Sequence, residues 1–153
     1  MGNPSKDLLE TEGALRAVIE TLIDGQEGFR QIGEAVSEGE LKRYFLEESL
    51  KRAAFRGELE NILHQEGVKD VNETGRAEGT FLRLFTGLKA AFGAGPHALL
   101  QAAEESEDQT VRAYHDALEN FLPAPVRDVL LQQAAQIEAS HERVKAARDA
   151  SRE

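Results

Sequence analysis

The placement of proline constrains the fold of this chain most. Its four prolines stand at positions 4, 96, 123 and 125, outside the long runs in which apolar residues recur. Because proline interrupts helix interiors, the three long stretches 5–95, 97–122 and 126–153 stay open to uninterrupted helices. Apolar residues three, four and seven positions apart mark amphipathic helices within those stretches. The sequence therefore predicts an all-α protein built from long helices packed side by side.

Four long helices are expected, and they form one domain over residues 1–153. Their predicted ranges are 5–36, 40–66, 96–121 and 125–148. Since the turn at 37–39 is short, the first two helices should be antiparallel neighbours. The segment 68–95 is interpreted as a long crossover that carries a short helix near 77–92. The predicted architecture is a four-helix bundle of up-down hairpins joined by this crossover. A break of the first helix near Asp24 and Gly25 is an alternative, because glycine weakens helix interiors.

Composition and charge exclude several functional classes. The chain has 153 residues, no cysteine and a formal net charge of −10. Thiolate metal sites, disulfides and cysteine catalysis are therefore excluded, and an acidic chain without a basic aromatic stripe is not expected to bind nucleic acid. No apolar run approaches the roughly 18 residues of a membrane span. The first residues lack the apolar core of a signal peptide, so a cytoplasmic location is expected.

A Glu-x-x-His pair near the C-terminus is the most informative local motif. Glu138 and His141 are three residues apart, so both project from about the same side of a helix. On the other helices, carboxylates interrupt the apolar stripes at Glu27, Glu48 and Glu107. Counting 1.5 Å per residue from the helix ends places the four glutamates at one depth, roughly 15 Å from one end of the bundle. Four carboxylates and one imidazole at one level form a candidate metal site.

The chain resembles the ferritin-like four-helix-bundle superfamily and, within it, an uncharacterised bacterial domain-of-unknown-function family. The resemblance rests on Ile-Glu-Thr-Leu-Ile-Asp-Gly-Gln-Glu-Gly-Phe at 19–29, Ala-Tyr-His-Asp-Ala-Leu at 113–118, and His-Glu-Arg-Val at 141–144. Diiron members carry a Glu on the first and third helices and Glu-x-x-His on the second and fourth. The resemblance thus implies metal ligands at Glu27, Glu48, Glu107, Glu138 and His141. This chain departs from the pattern at Lys51, where the second helix should carry histidine, and Arg52 follows.

The charge of an acidic core must be balanced, because burying unpaired ions costs several kcal/mol each. Arg52 can neutralise Glu48 one turn earlier. The remaining charge can be met by one divalent cation, by protonation of a carboxyl, or by glutamates that turn to solvent. A single Fe, Mn or Zn ion held by Glu107, Glu138 and His141, with Glu27 in support, suits these ligand types. Alternatively, Arg52 has displaced a metal, and His141 is an ordinary hydrogen-bonded core residue.

Three functional hypotheses follow. The first is a non-catalytic ferritin-like protein with a degenerate carboxylate/His site, connected with metal homeostasis or the stress response. The second is a metal-dependent oxidoreductase with a mononuclear or diiron centre. The third is a helical module that binds a partner through the crossover helix or the third long helix. The expected partners are a divalent metal ion and a second copy of the chain, and no catalytic residue is assigned.

Overall fold

The computed structural model of the chain describes residues 4–37, 39–68 and 88–151. Within these ranges every regular element is a helix. The helices are α1 (Pro4–Ala35), α2 (Gly39–Gln65), α3 (Leu88–Ala91), α4 (Pro96–Leu118) and α5 (Ala124–Ala150). The all-α prediction is confirmed, and the bounds of the long helices lie within three residues of those predicted. No helix in the described ranges is long and apolar enough to cross a bilayer.

The first helix is continuous as predicted, and the alternative of a break near Asp24 and Gly25 does not occur. Helix α1 continues without interruption from Pro4 to Ala35, and Gly25 lies buried inside it. A side chain at this position would meet Arg52, since a Cβ atom would lie 3.1 Å from its Cδ. Gly25 therefore serves close packing between α1 and α2, not a break in α1.

Helix α2 ends in a backbone motif that requires a left-handed residue. The amide of Val68 donates to Leu63 O at 3.0 Å, and the amide of Gly67 donates to His64 O at 3.0 Å. These two bonds define a Schellman motif. Gly67 takes the left-handed position with φ of 89°, which glycine adopts without steric cost. The motif turns the buried Val68 back onto the core.

Side-chain contacts fix the direction of neighbouring helices. Lys42 Nζ donates to Gly33 O at 2.7 Å, and Ser49 Oγ donates to Gln26 O at 2.8 Å. As the residue number increases along α2, the number of the contacted residue in α1 decreases, so the two helices are antiparallel.

The same rule orients the other two long helices. His97 contacts Ser151 at 2.8 Å, and Glu104 accepts from Arg148 at 2.7 Å, so α4 and α5 are antiparallel. At the other end of α4, the Phe121 amide donates to Glu10 of α1 at 3.0 Å. The first half of α1 shares a core cluster with Tyr114 and Ala117, and its last turns share the other cluster with Leu99 and Leu100. Helices α4 and α1 are thus antiparallel as well, and α2 and α4 run in the same direction. The short helix predicted near 77–92 falls mostly on residues 77–87, outside the described residues, and stays a prediction there. Within the described part of the chain, Leu88–Ala91 is helical.

A polar layer divides the core into two apolar clusters. One cluster contains buried apolar residues of all four long helices: Leu15, Val18, Ile19, Leu22 and Ile23 of α1, Phe55, Leu59 and Leu63 of α2, Tyr114 and Ala117 of α4, and Val126, Leu130, Ala134 and Ile137 of α5. The other contains Phe29 to Val36, Tyr44 and Phe45, Leu99 to Ala103, and Val144. Between them, each long helix buries polar residues: Asp24, Glu48, Ser49, Arg52, Ser106, Glu107, Thr110 and Ser140. The buried polar residues therefore separate the two apolar clusters, and they include Glu48 and Glu107 but not Glu27 or Glu138.

Two glycines of α1 allow a matched test of packing between α1 and α2. A Cβ at Gly33 would lie 2.9 Å from the side chain of Leu46, whereas no described atom lies within 4 Å of a Cβ at Gly13. We expect Gly13→Ala to raise the free energy of unfolding by about 0.5–1 kcal/mol, because alanine favours helices. Gly33→Ala should lower it by about 1–2 kcal/mol through overpacking. Urea denaturation of both variants measures the difference, and equal effects would contradict close packing at Gly33.

Candidate functional site

The guanidinium of Arg52 lies at the centre of the polar layer. Its side chain is 1% exposed. Nη1 donates to Glu48 Oε1 at 2.9 Å, one turn earlier on α2, and Nη2 donates to Glu107 Oε1 of α4 at 2.5 Å. One buried cation therefore bridges two carboxylates and joins α2 to α4.

Helix α1 supplies the cradle for Arg52. The guanidinium carbon lies 4.0 Å from the centre of the Phe29 ring, a cation–π contact. Beside it, the absent side chain of Gly25 leaves room for Cδ and Nε of the arginine. The buried guanidinium therefore stacks on the Phe29 ring and pairs with Glu48 and Glu107, and its aliphatic stem packs beside Gly25.

Each of the two acids is paired differently. The second oxygen of Glu48 lies 3.1 Å from Nζ of Lys51, whose side chain is largely exposed, so both of its oxygens have cationic partners. Glu107 is fully buried, and its Oε2 has no hydrogen-bond partner among the described residues. Burial raises the pKa of the Glu107 carboxyl above its ordinary value, and Arg52 and Ser140 oppose this shift.

A chain of hydroxyl groups connects α5 and α2 to Glu107. Ser140 Oγ donates to Glu107 Oε1 at 2.6 Å, and the Tyr44 hydroxyl lies 2.5 Å from Ser140 Oγ. Since the proton of Ser140 is committed to Glu107, Tyr44 is the donor in the second bond. Burial raises the pKa of Tyr44, so its hydroxyl keeps that proton. The network can therefore hold a fixed arrangement of protons and charges across three helices.

The structure does not bring all five residues of the candidate metal site together. Glu48 and Glu107 meet through Arg52. Glu27 instead bonds to Arg30 and to Gln31 on its own helix. Glu138 is 51% exposed and lies 3.0 Å from His115. Their role as metal ligands stays a prediction.

His141 meets a different pair of acids. Its Nε2 lies 2.8 Å from Oδ1 of Asp108, and its side chain is 20% exposed. With Glu104, these residues present one imidazole nitrogen and two carboxylate oxygens that all lie within 4.8 Å of one another. This group lies between α4 and α5, and its ligand set shares only His141 with the predicted one.

The sequence pattern contained signals for some of the residues that the prediction missed. Asp24 stands in an otherwise apolar stretch of α1 and is buried, whereas Glu27 is not. Asp108 lies one turn after Glu104 on α4, a spacing that places two carboxylates on one side of a helix. Nothing in the sequence distinguishes Ser140 from an ordinary small residue of an alanine-rich helix.

Removing the arginine tests whether the two acids depend on it. We expect Arg52→Met to lower the free energy of unfolding by about 3–5 kcal/mol, because it leaves buried carboxylates without a cation. In that background Glu107→Gln should restore stability, whereas in the wild-type protein the same change should reduce it. A double-mutant cycle measured by urea denaturation gives the sign of this coupling.

Arg56, one turn further along α2, provides the matched control. It forms a partly exposed pair with Glu60 at 3.1 Å, and such pairs contribute little. Arg56→Met should therefore cost less than about 1 kcal/mol. If Glu107→Gln lowered stability equally with and without Arg52, the two buried side chains would not be coupled.

Comparison with known proteins gives the chain a family but no activity. No curated protein matches it. A family model described as a domain of unknown function (DUF2383) matches residues 10–120. Because this match covers most of the sequence, including α2, α4 and the Arg52–Glu107 pair, the chain belongs to the DUF2383 family.

Proposed function

We propose that this chain is a non-catalytic, ferritin-like helical-bundle protein in which Arg52 takes the place of a metal cation between the core carboxylates. The observation that carries the proposal is the pairing of both terminal nitrogens of one buried guanidinium with Glu48 and Glu107. A structural or binding role follows, since Arg52, both oxygens of Glu48 and Oε1 of Glu107 are committed to ion pairs.

The course of the chain supports the ferritin-like part of the proposal. Ferritin-like bundles contain one long crossover between hairpins. Here α2 and α4 run in the same direction, as do the second and third helices of a bundle with such a crossover. Glu48 and Glu107 also occupy the helices on which diiron members of that superfamily carry ligands, so the acids of the site are retained while their counterion differs.

The residues of this core do not fit a diiron centre. A guanidinium already lies against Glu107 and one oxygen of Glu48, and Lys51 lies against the other. A two-metal centre would need the three carboxylate oxygens that these cations contact. Glu27 and Glu138 bond elsewhere. These contacts favour a degenerate site over the oxidoreductase hypothesis, while partner binding and homodimer formation stay predictions from the sequence.

Iron chemistry gives a direct test. When Fe(II) is added to metal-free protein under air, we expect iron oxidation and oxygen consumption at the rate of buffer alone. The reason is that no pair of metals can be bridged by Glu48 and Glu107 while Arg52 lies between them. Oxygen-electrode traces and absorbance measure both rates. Binding of two irons per chain with accelerated oxidation would overturn the proposal.

A second test asks whether Arg52 substitutes for a cation. In Arg52→Met, Mn(II) or Zn(II) should raise the melting temperature by more than in the wild-type protein, because the unpaired acids then gain a divalent partner. In Arg56→Met, the control on the same helix, the metal should raise the melting temperature only as much as in the wild-type protein. Equal increments in all three proteins would mean that the arginine does not occupy a former cation position.

A further inference from the structure

We infer that Glu104 and Asp108 of α4, with His141 of α5, form a binding site for one divalent transition-metal ion. This inference goes beyond the proposed function, because these residues are not part of the Arg52 network. The two sites can therefore be tested separately, and each can fail without the other.

The backbone brings the three side chains together. Glu104 and Asp108 are one helical turn apart, so their carboxylates lie along the same side of α4. Antiparallel packing sets His141 opposite them, with Nε2 at 2.8 Å from Asp108 Oδ1. Ligand atoms on one tetrahedral zinc ion lie about 3.3 Å apart, given bonds near 2.0 Å. The three atoms here lie within 4.8 Å of one another, so small side-chain rotations suffice to reach that geometry.

Two of these ligand atoms are buried and lack a hydrogen-bond partner in the described parts of the chain. They are Oε2 of Glu104 and Nε2 of His141. Although Nε2 is close to Asp108, the contact lacks hydrogen-bond alignment. Buried polar atoms without partners are costly, and a bound ion is one explanation for them. This feature is independent of the clustering of acids and points to a ligand between α4 and α5.

Neighbouring charged side chains contact two of the proposed ligands, Glu104 and His141. Arg148 Nη1 donates to Glu104 Oε1 at 2.7 Å, which holds that carboxylate and leaves Oε2 free. Glu142 Oε1 lies 3.7 Å from Nδ1 of His141. If Nε2 gives its lone pair to a metal, the proton of the imidazole lies on Nδ1, where the Glu142 carboxylate can accept it.

The donor set selects the class of ion. One imidazole and two carboxylates suit Zn, Mn or Fe(II), whereas Mg and Ca prefer oxygen ligands alone. Glu104, Asp108 and Glu142 with one nearby arginine leave a local charge of about −2, which favours a divalent cation. Asp108 is 50% exposed, so an ion can reach the site from solvent, and a fourth coordination position stays open to water.

The chain offers a matched control for the test. His115 of α4 and Glu138 of α5 form another His–carboxylate pair between the same two helices, but both are exposed and have no second acid in such a group. His141→Gln removes the proposed ligand, and His115→Gln removes an equivalent imidazole at the surface. Circular dichroism establishes that both variants remain folded.

Metal-free protein is titrated with Zn(II) by calorimetry and with Co(II) by visible absorption. We expect one ion per chain and, for Co(II), the intense bands of a low-coordinate site. His141→Gln should weaken binding at least about tenfold, since even loss of an outer-shell partner costs this much. Asp108→Asn should also weaken it, and His115→Gln should match the wild-type protein.

Two outcomes would overturn the inference. One is the absence of stoichiometric binding by the wild-type protein. The other is an equal loss of affinity in His115→Gln and His141→Gln, which would indicate non-specific binding to an acidic surface. Titration of Arg52→Met separates the two proposals, because the site at His141 should retain its affinity whether or not the acids of the core accept a second ion.

Discussion

The ion pairs of Arg52 with Glu48 and Glu107 determine how the rest of the bundle is arranged. Taking these charges out of water is expensive, and the cost is recovered only if the partners meet in good geometry. Glu48 and Arg52 belong to α2, Glu107 to α4, and Phe29 of α1 covers the guanidinium. A slip of one helix by a single residue, about 1.5 Å, would break these contacts. The polar layer therefore fixes the axial register of helices that apolar packing alone would hold less specifically.

An arginine and a metal ion impose different constraints on the same acids. A metal ion binds ligand atoms that surround it in three dimensions. A guanidinium is planar and donates from a fixed fork, so it needs carboxylates near its own plane and something apolar against its face. The Phe29 ring fills that last position, and Gly25 admits the aliphatic stem. The core thus matches both the charge and the planar shape of an arginine side chain.

Helix bounds follow from the sequence more closely than the rotation of each helix about its axis. The bounds of the long helices lie within three residues of those predicted, and Glu48 and Glu107, two of the four glutamates counted to one depth, meet through Arg52. Rotation depends on a period of about 100° per residue. On α5, Ser140 faces Glu107, and Glu138, two residues earlier, is exposed because it lies on the opposite side. Alanine-rich stretches blur the apolar stripe of that helix, so Glu138 and His141 resemble an inward pair although Ser140 is the buried residue.

The same rotation explains how one acidic run serves two purposes. Within residues 104–108, Glu107 is fully buried beside Arg52, and Glu104 and Asp108 turn toward His141. Glu107 and Asp108 are sequence neighbours, as are their contacts on α5, Ser140 and His141. An ion held between Asp108 and His141 would therefore clamp α4 to α5 at the level of the buried network. Binding would add a second restraint on the position of Ser140, and through it on the carboxylate that Arg52 neutralises.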